Sequence, residues 1–147
     1  MGDCEFYNEI ERIIPCDGTP NAYATEYGYR YCNRFAQFSS DFTSEVSNIP
    51  NNINNYSYFG FPHRQGQMWV NGVRPCLQRA IINTVIDPAT TCKILKDAAF
   101  DSHPLCYVKM EPSFCNVVLK PGNWDGFYNV FIFSDLFTEE SKKQVFV

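Results

Sequence analysis

Seven cysteines in 147 residues constrain this chain more than any other feature, because cross-linked or metal-bound cysteines force particular parts of a chain together whatever else it prefers. Three of them, Cys76, Cys92 and Cys106, follow one another at steps of 16 and 14 residues on what read as two consecutive helices. Such a set can be a disulfide framework, a metal site or a cluster of redox thiols. Cysteine metal sites show short ligand pairs such as C-x-x-C, and here the closest two cysteines, Cys106 and Cys115, are nine residues apart. A metal site is therefore not expected. Cytosolic domains without a thiol-dependent task rarely carry so many cysteines, whereas secreted domains use them as staples. The expectation is a disulfide framework and a secreted, extracellular location.

The remaining composition fits one globular domain over residues 1–147. Hydrophobic residues make up 45% and charged residues 19%, enough apolar material for a core and too little charge for a disordered tail. The formal net charge is −4, and the basic residues are scattered, so neither a nucleic acid nor an anionic membrane surface is an expected partner. No apolar run approaches the ~20 residues of a membrane span. The opening Met1-Gly2-Asp3-Cys4 lacks the pattern of a secretory signal. Set beside the cysteines, this reads as a mature or truncated N-terminus.

Helical periodicity dominates the chain. Phe6, Ile10, Ile13 and Ile14 share one side of a short helix over 5–14, ended by Pro15. The stripe Tyr31, Phe35, Phe38 and Phe42 marks a second helix over 27–42 and reads as core. Trp69, Val73, Leu77, Ala80, Ile81 and Val85 form the strongest stripe, with Cys76 on it and Pro75 expected to kink or break it. Asp87-Pro88 reads as the N-cap and first residue of a fourth helix carrying Cys92, Leu95, Ala98 and Ala99, with Pro104 closing or bending it. A less regular segment over 124–144 carries Phe127, Val130, Phe131 and Phe137, and residues 121–147 are expected to attach loosely.

Residues 46–65 differ in character. Asn48, Asn51, Asn52, Asn54 and Asn55, two prolines and no helical period make them a long loop. Two explanations stand side by side. One is a genuine surface insertion, exposing the chain's sole N-glycosylation sequon, Asn55-Tyr56-Ser57. The other is an in-frame unspliced intron, since Val46-Ser47 is compatible with a splice donor and Gln65 with an acceptor.

The enzyme patterns are weak. Ser102-His103-Pro104 before Cys106-Tyr107 faintly resembles the His-Asp-x-Cys-Tyr stretch of secreted phospholipases, but no carboxylate follows His103 and no calcium loop precedes it. His103 reads instead as a helix C-terminal residue suited to the dipole. A Cys/His nucleophilic pair would need His63 or His103; His63 sits within the 46–65 segment, and His103 is three residues from Cys106, which the framework needs. Asp97 and Asp101, one turn apart, read as a solvated face. No glycine-rich phosphate cradle or EF-hand loop appears, so no catalytic residues and no cofactor are expected.

The local sequence around the cysteines carries a further signal. The run Tyr31-Cys32-Asn33-Arg34-Phe35, then Phe42-Thr43-Ser44-Glu45, Gly66-Gln67-Met68-Trp69-Val70-Asn71, Cys76-Leu77-Gln78, Thr91-Cys92 and Cys106-Tyr107 resembles the stanniocalcin family, including its invertebrate members. The likeness covers residues 16–115. The order of motifs and the 16- and 14-residue steps match, and the Cys32 to Cys76 step matches once 46–65 is taken out. The stretch from Cys16 to Cys32 is longer than the family's, and the family's cysteines beyond Cys115 have no counterpart.

Six cysteines allow fifteen pairings. The resemblance implies one of them: Cys4–Cys32, Cys16–Cys92 and Cys76–Cys106, with Cys115 unpaired or bridging two chains. It also implies an all-α, disulfide-stapled bundle of four to five short helices without an active site. The implied activity is that of a hormone-like extracellular glycoprotein of calcium and phosphate homeostasis, often a homodimer, acting on a cell-surface receptor or an extracellular protease. A small secreted interaction or venom-type module is the first alternative, and a secreted phospholipase-like hydrolase the second.

Overall fold

A computed structural model describes residues 2–37, 56–109 and 113–118, with side chains in the long third helix described from residue 66 onward. The described residues are helical and contain no strand. Helix α1 spans Glu5–Ile13. Helix α2 covers 23–37 and includes a π-helical stretch at Ala24–Gly28. Helices α3 (Tyr56–Ile86), α4 (Cys92–Val108) and α5 (Phe114–Val118) follow. This is the all-α, disulfide-stapled bundle expected above.

Amphipathic burial explains most of the elements. In α1, Tyr7 and Ile10 are buried, but Ile13, placed on the inner face by the sequence reading, is 54% exposed. The tyrosine ring takes the inner position because it reaches α2, where it packs edge-on to Tyr23 with ring centroids 6.2 Å apart. The second helix starts at residue 23, four residues ahead of the expected start. Ala22, Tyr23 and Ala24 are all buried, and the wider π turn shifts the phase of the stripe in a way that a 3.6-residue count does not detect. Phe38, Phe42 and residues 46–55 lie outside the described residues.

Helix α3 begins at Tyr56 and runs unbroken across position 66, so the loop expected over 46–65 does not extend past Asn55. Adding residues to an existing helix requires no new nucleation, which lets α3 run through Gly60, Pro62 and Gly66. It also continues through Pro75, where one backbone hydrogen bond is forfeited. Trp69, Val73, Leu77, Ile81 and Val85 are buried as their spacing demands, while Ala80 is exposed. Helix α4 starts at Cys92 and not at Pro88. Thr91 is the N-cap, its hydroxyl accepting from the Ile94 N–H at 3.3 Å, whereas Asp87 accepts from the Ala89 N–H at 2.9 Å inside the connecting turn. Pro104 does not end α4, which reaches Val108.

Two hydrophobic clusters result. One gathers Phe35, Trp69, Val70, Val73, Leu77, Tyr107 and Val117. The other gathers Tyr7, Ile10, Tyr23, Ile81, Val85, Leu95, Ala99 and Phe100. Helix α3 contributes to both and packs most extensively against α4.

Gly28 fixes how closely α1 and α2 approach. A Cβ at this position would lie 2.3 Å from the Tyr7 ring, well inside van der Waals contact. Gly28→Ala is therefore expected to destabilise the fold by about 1–3 kcal/mol through overpacking, read as a lower urea midpoint. An unchanged midpoint would show that Tyr7 moves aside at no cost.

Candidate functional site

The best-defined arrangement of chemistry in this molecule is its disulfide framework and the polar groups anchored beside it. Cys4, the N-cap residue of α1, joins Cys32 on α2. Cys16, just past α1, joins Cys92 at the first residue of α4. Cys76 in the middle of α3 joins Cys106 near the end of α4. The Cα–Cα separations are 5.5, 5.6 and 5.7 Å, within the ordinary range. These are the same partners that the resemblance implies.

The bridges close segments of 28, 76 and 30 residues. By the chain-entropy relation each removes roughly 3.5–4.5 kcal/mol of freedom from the unfolded chain, although the loops overlap and the terms do not add. Each bridge has one deeply buried end, at Cys32, Cys16 and Cys106. Cys115 is different: it is free and exposed on α5, while Val117 on the same helix is fully buried.

Polar anchors hold the cross-linked segments in place. One carboxylate oxygen of Glu11 accepts from the N–H groups of Cys16 and Asp17 at 2.8 and 2.7 Å. The Thr19 hydroxyl donates to the Cys16 carbonyl at 2.6 Å. Gln78, 0% exposed, accepts from the Gly2 N–H at 2.6 Å and donates to the Asp3 carbonyl at 2.8 Å. Tyr7 bonds to Tyr23 and Gln78, and burial pushes its hydroxyl up to about 12. Burial likewise raises the hydroxyls of Tyr23 and Tyr107. The Trp69 indole donates to the Tyr107 carbonyl at 3.1 Å, so the large polar-tipped aromatics of the core have partners.

The sequence reading of His103 does not survive. It is not a partly charged residue at the helix end but a buried, neutral one inside α4, stacked on Phe100 and edge-on to Tyr107. Its Nδ1 lies 2.7 Å from the Ala99 carbonyl, which can only accept, so Nδ1 carries the proton. Burial lowers the imidazole to about 4, leaving it neutral at physiological pH. The Ser102 hydroxyl also donates to the Ala99 carbonyl, at 2.7 Å.

Other candidate chemistry is not assembled. Asp97 receives Lys93 across one helical turn in an exposed pair, which fits the solvated face expected of Asp97 and Asp101. Among the described residues no group of three or more His, Cys, Asp or Glu could hold a metal ion, and no described helix is long and apolar enough to cross a membrane. Asn55 lies outside the described residues, as does the side chain of His63. Sequence reasoning missed Gln78, Glu11 and the Tyr7–Tyr23 pair. Only Gln78 left a trace, as a polar residue next to the stripe positions Leu77 and Ile81.

The His103 imidazole supplies a pH prediction. Its folded value lies below the ordinary 6.5, so folding favours the neutral form. The contribution is whole above about pH 6.5, declines as pH falls, and is exhausted near pH 4, a total of about 3 kcal/mol. Urea titrations at several pH values across that window should show this slope, and His103→Phe should flatten it. An equal slope in the variant would assign the loss to other groups. Comparison of the chain with family models, with curated proteins and with solved structures returns no match.

Proposed function

We propose that this chain is a secreted, hormone-like binding protein of the stanniocalcin type, acting through contact with a cell-surface receptor or an extracellular protease in calcium and phosphate homeostasis. The observation that carries the reading is the framework itself: α1, α2, α3 and α4 are tied by three bridges in the pairing that the resemblance implies. Three intramolecular disulfides are compatible with an oxidising, extracellular setting. A rigid, cross-linked helical scaffold suits recognition, because little ordering entropy is left to lose on binding. His103, the residue on which the phospholipase-like alternative depends, is buried and neutral, which speaks for binding over catalysis.

On this reading Asn55 carries a glycan, and Cys115, free and exposed, bridges two copies into a homodimer. Intact-mass analysis with disulfide mapping of the protein secreted by cultured cells tests the chemistry. The expected result is three intrachain bridges, a glycan on Asn55, and a dimer that Cys115→Ser converts to monomer. Seven free thiols would remove the basis of the proposal. A second measurement separates the classes: calcium-dependent phospholipid hydrolysis abolished by His103→Ala would make the chain an enzyme, whereas saturable binding to a receptor or protease without turnover is the expected outcome.

A further inference from the structure

Residues 2–3 form a short strap against the Cys4–Cys32 bridge, and one side chain holds it. Gln78 takes the Gly2 N–H and gives a hydrogen to the Asp3 carbonyl, at 2.6 and 2.8 Å. The Arg74 guanidinium donates to the Gly2 carbonyl at 3.5 Å. Gly2 has φ +98°, a conformation that side-chain-bearing residues rarely adopt. In this pose the Gly2 carbonyl oxygen sits 3.9 Å from the Cys32 sulfur, and Cys32 is only 3% exposed.

Thiol–disulfide exchange requires a thiolate to attack one sulfur while the other departs as a thiolate. Attack on Cys32 is obstructed by its burial and by the strap carbonyl lying against it. Attack on Cys4, which is only partly buried, would expel the Cys32 thiolate into a buried position facing the Gly2 carbonyl oxygen, to which the Arg74 guanidinium is already committed. A leaving sulfur held in water-poor surroundings against a carbonyl oxygen departs slowly. Both routes are disfavoured as long as Gln78 keeps the strap in place.

We infer that the Gly2–Asp3 strap is a lock on the Cys4–Cys32 bridge, which external thiols open only after the strap leaves Gln78. In the opened state an external dithiol bonds to one sulfur, the other leaves and takes a proton from solvent, and the second thiol of the reagent then releases the first cysteine as the reagent becomes a disulfide. The start of α1 is thereby freed from α2, while Cys16–Cys92 still tethers the segment just beyond its far end. The result is a local, redox-sensitive unit within a framework that is otherwise intact.

The test uses the full oxidised chain and two variants, Gln78→Leu, which removes the anchor, and Gly2→Pro, which removes the donated N–H and forbids the positive φ. Each is exposed to limiting dithiothreitol, quenched by alkylation at intervals and mapped by mass spectrometry. Cys4–Cys32 is expected to open about tenfold faster in both variants, in line with the loss of one or two hydrogen bonds, with Cys16–Cys92 and Cys76–Cys106 unchanged. Unchanged Cys4–Cys32 opening, or equal acceleration of all three bridges, would overturn the inference. If Gln78→Leu fails to fold, Gly2→Pro decides the matter alone, since its substitution leaves the α3 core untouched.

Discussion

Burial of the α3 stripe is the constraint on which the rest of the described structure depends. Trp69, Val70, Val73 and Leu77 face one hydrophobic cluster and Ile81 and Val85 the other, so α3 lines both clusters, as α4 does with Tyr107 in the first and Leu95, Ala99 and Phe100 in the second. A fully buried large apolar side chain contributes about 1.5–3 kcal/mol, and among the described helices α3 supplies the most buried residues to the two clusters together. Helix α4 lies along α3, and Cys76–Cys106 fastens the two together. Helices α1 and α2 then close over the second cluster, with Cys4–Cys32 joining them to each other and Cys16–Cys92 joining the end of α1 to α4. Helix α5 closes the first cluster, with Val117 buried and Phe114 against Trp69.

Aromatic residues form much of the described core. Trp69 contacts Phe35, Tyr107 and Phe114 with centroids 5.7, 5.1 and 5.1 Å apart, and Phe100 meets both Tyr23 and Tyr27 edge-on. Edge-to-face pairs add to the area they bury. The accompanying polar groups are costly to bury unless paired, and the structure pairs them: the Trp69 indole with a backbone carbonyl, Tyr7 with Tyr23 and Gln78, and His103 with Ala99. These contacts give the packing a direction that apolar contacts alone do not supply.

Much of this was legible in the sequence, for a simple reason. Period 3.6 is a local property, and a stripe such as Trp69, Val73, Leu77, Ile81, Val85 fixes both the helix and its buried face. Boundaries were less legible. The Asp87-Pro88 start competed with Thr91, and Thr91 won because Cys92 must meet Cys16 at the first turn of α4. The start of α2 lies four residues ahead of the point its stripe marks because a π turn precedes that stripe and changes the phase. The loop over 46–65 gave way to helix from Tyr56 onward because a long helix, once formed, tolerates residues that would not start one. His103 resembles a terminal residue because a proline follows it, but its neighbours Phe100 and Tyr107, four or fewer positions away on the same helix face, enclose it.

The candidate site divides along the same line. By itself the sequence determined an all-helical chain whose cysteine content and spacing point to cross-links, since helical period and cysteine spacing are both properties of the chain read residue by residue. Spacing alone does not choose among fifteen pairings of six cysteines, and only the family resemblance implies one. Which sulfurs meet, which tyrosines hydrogen-bond to each other, and why Gln78 holds the backbone of residues 2–3 were decided only by tertiary structure. Each depends on residues far apart in the chain, up to 76 positions for Gly2 and Gln78, being brought within bonding distance by the packing of α1, α2 and α4 around α3.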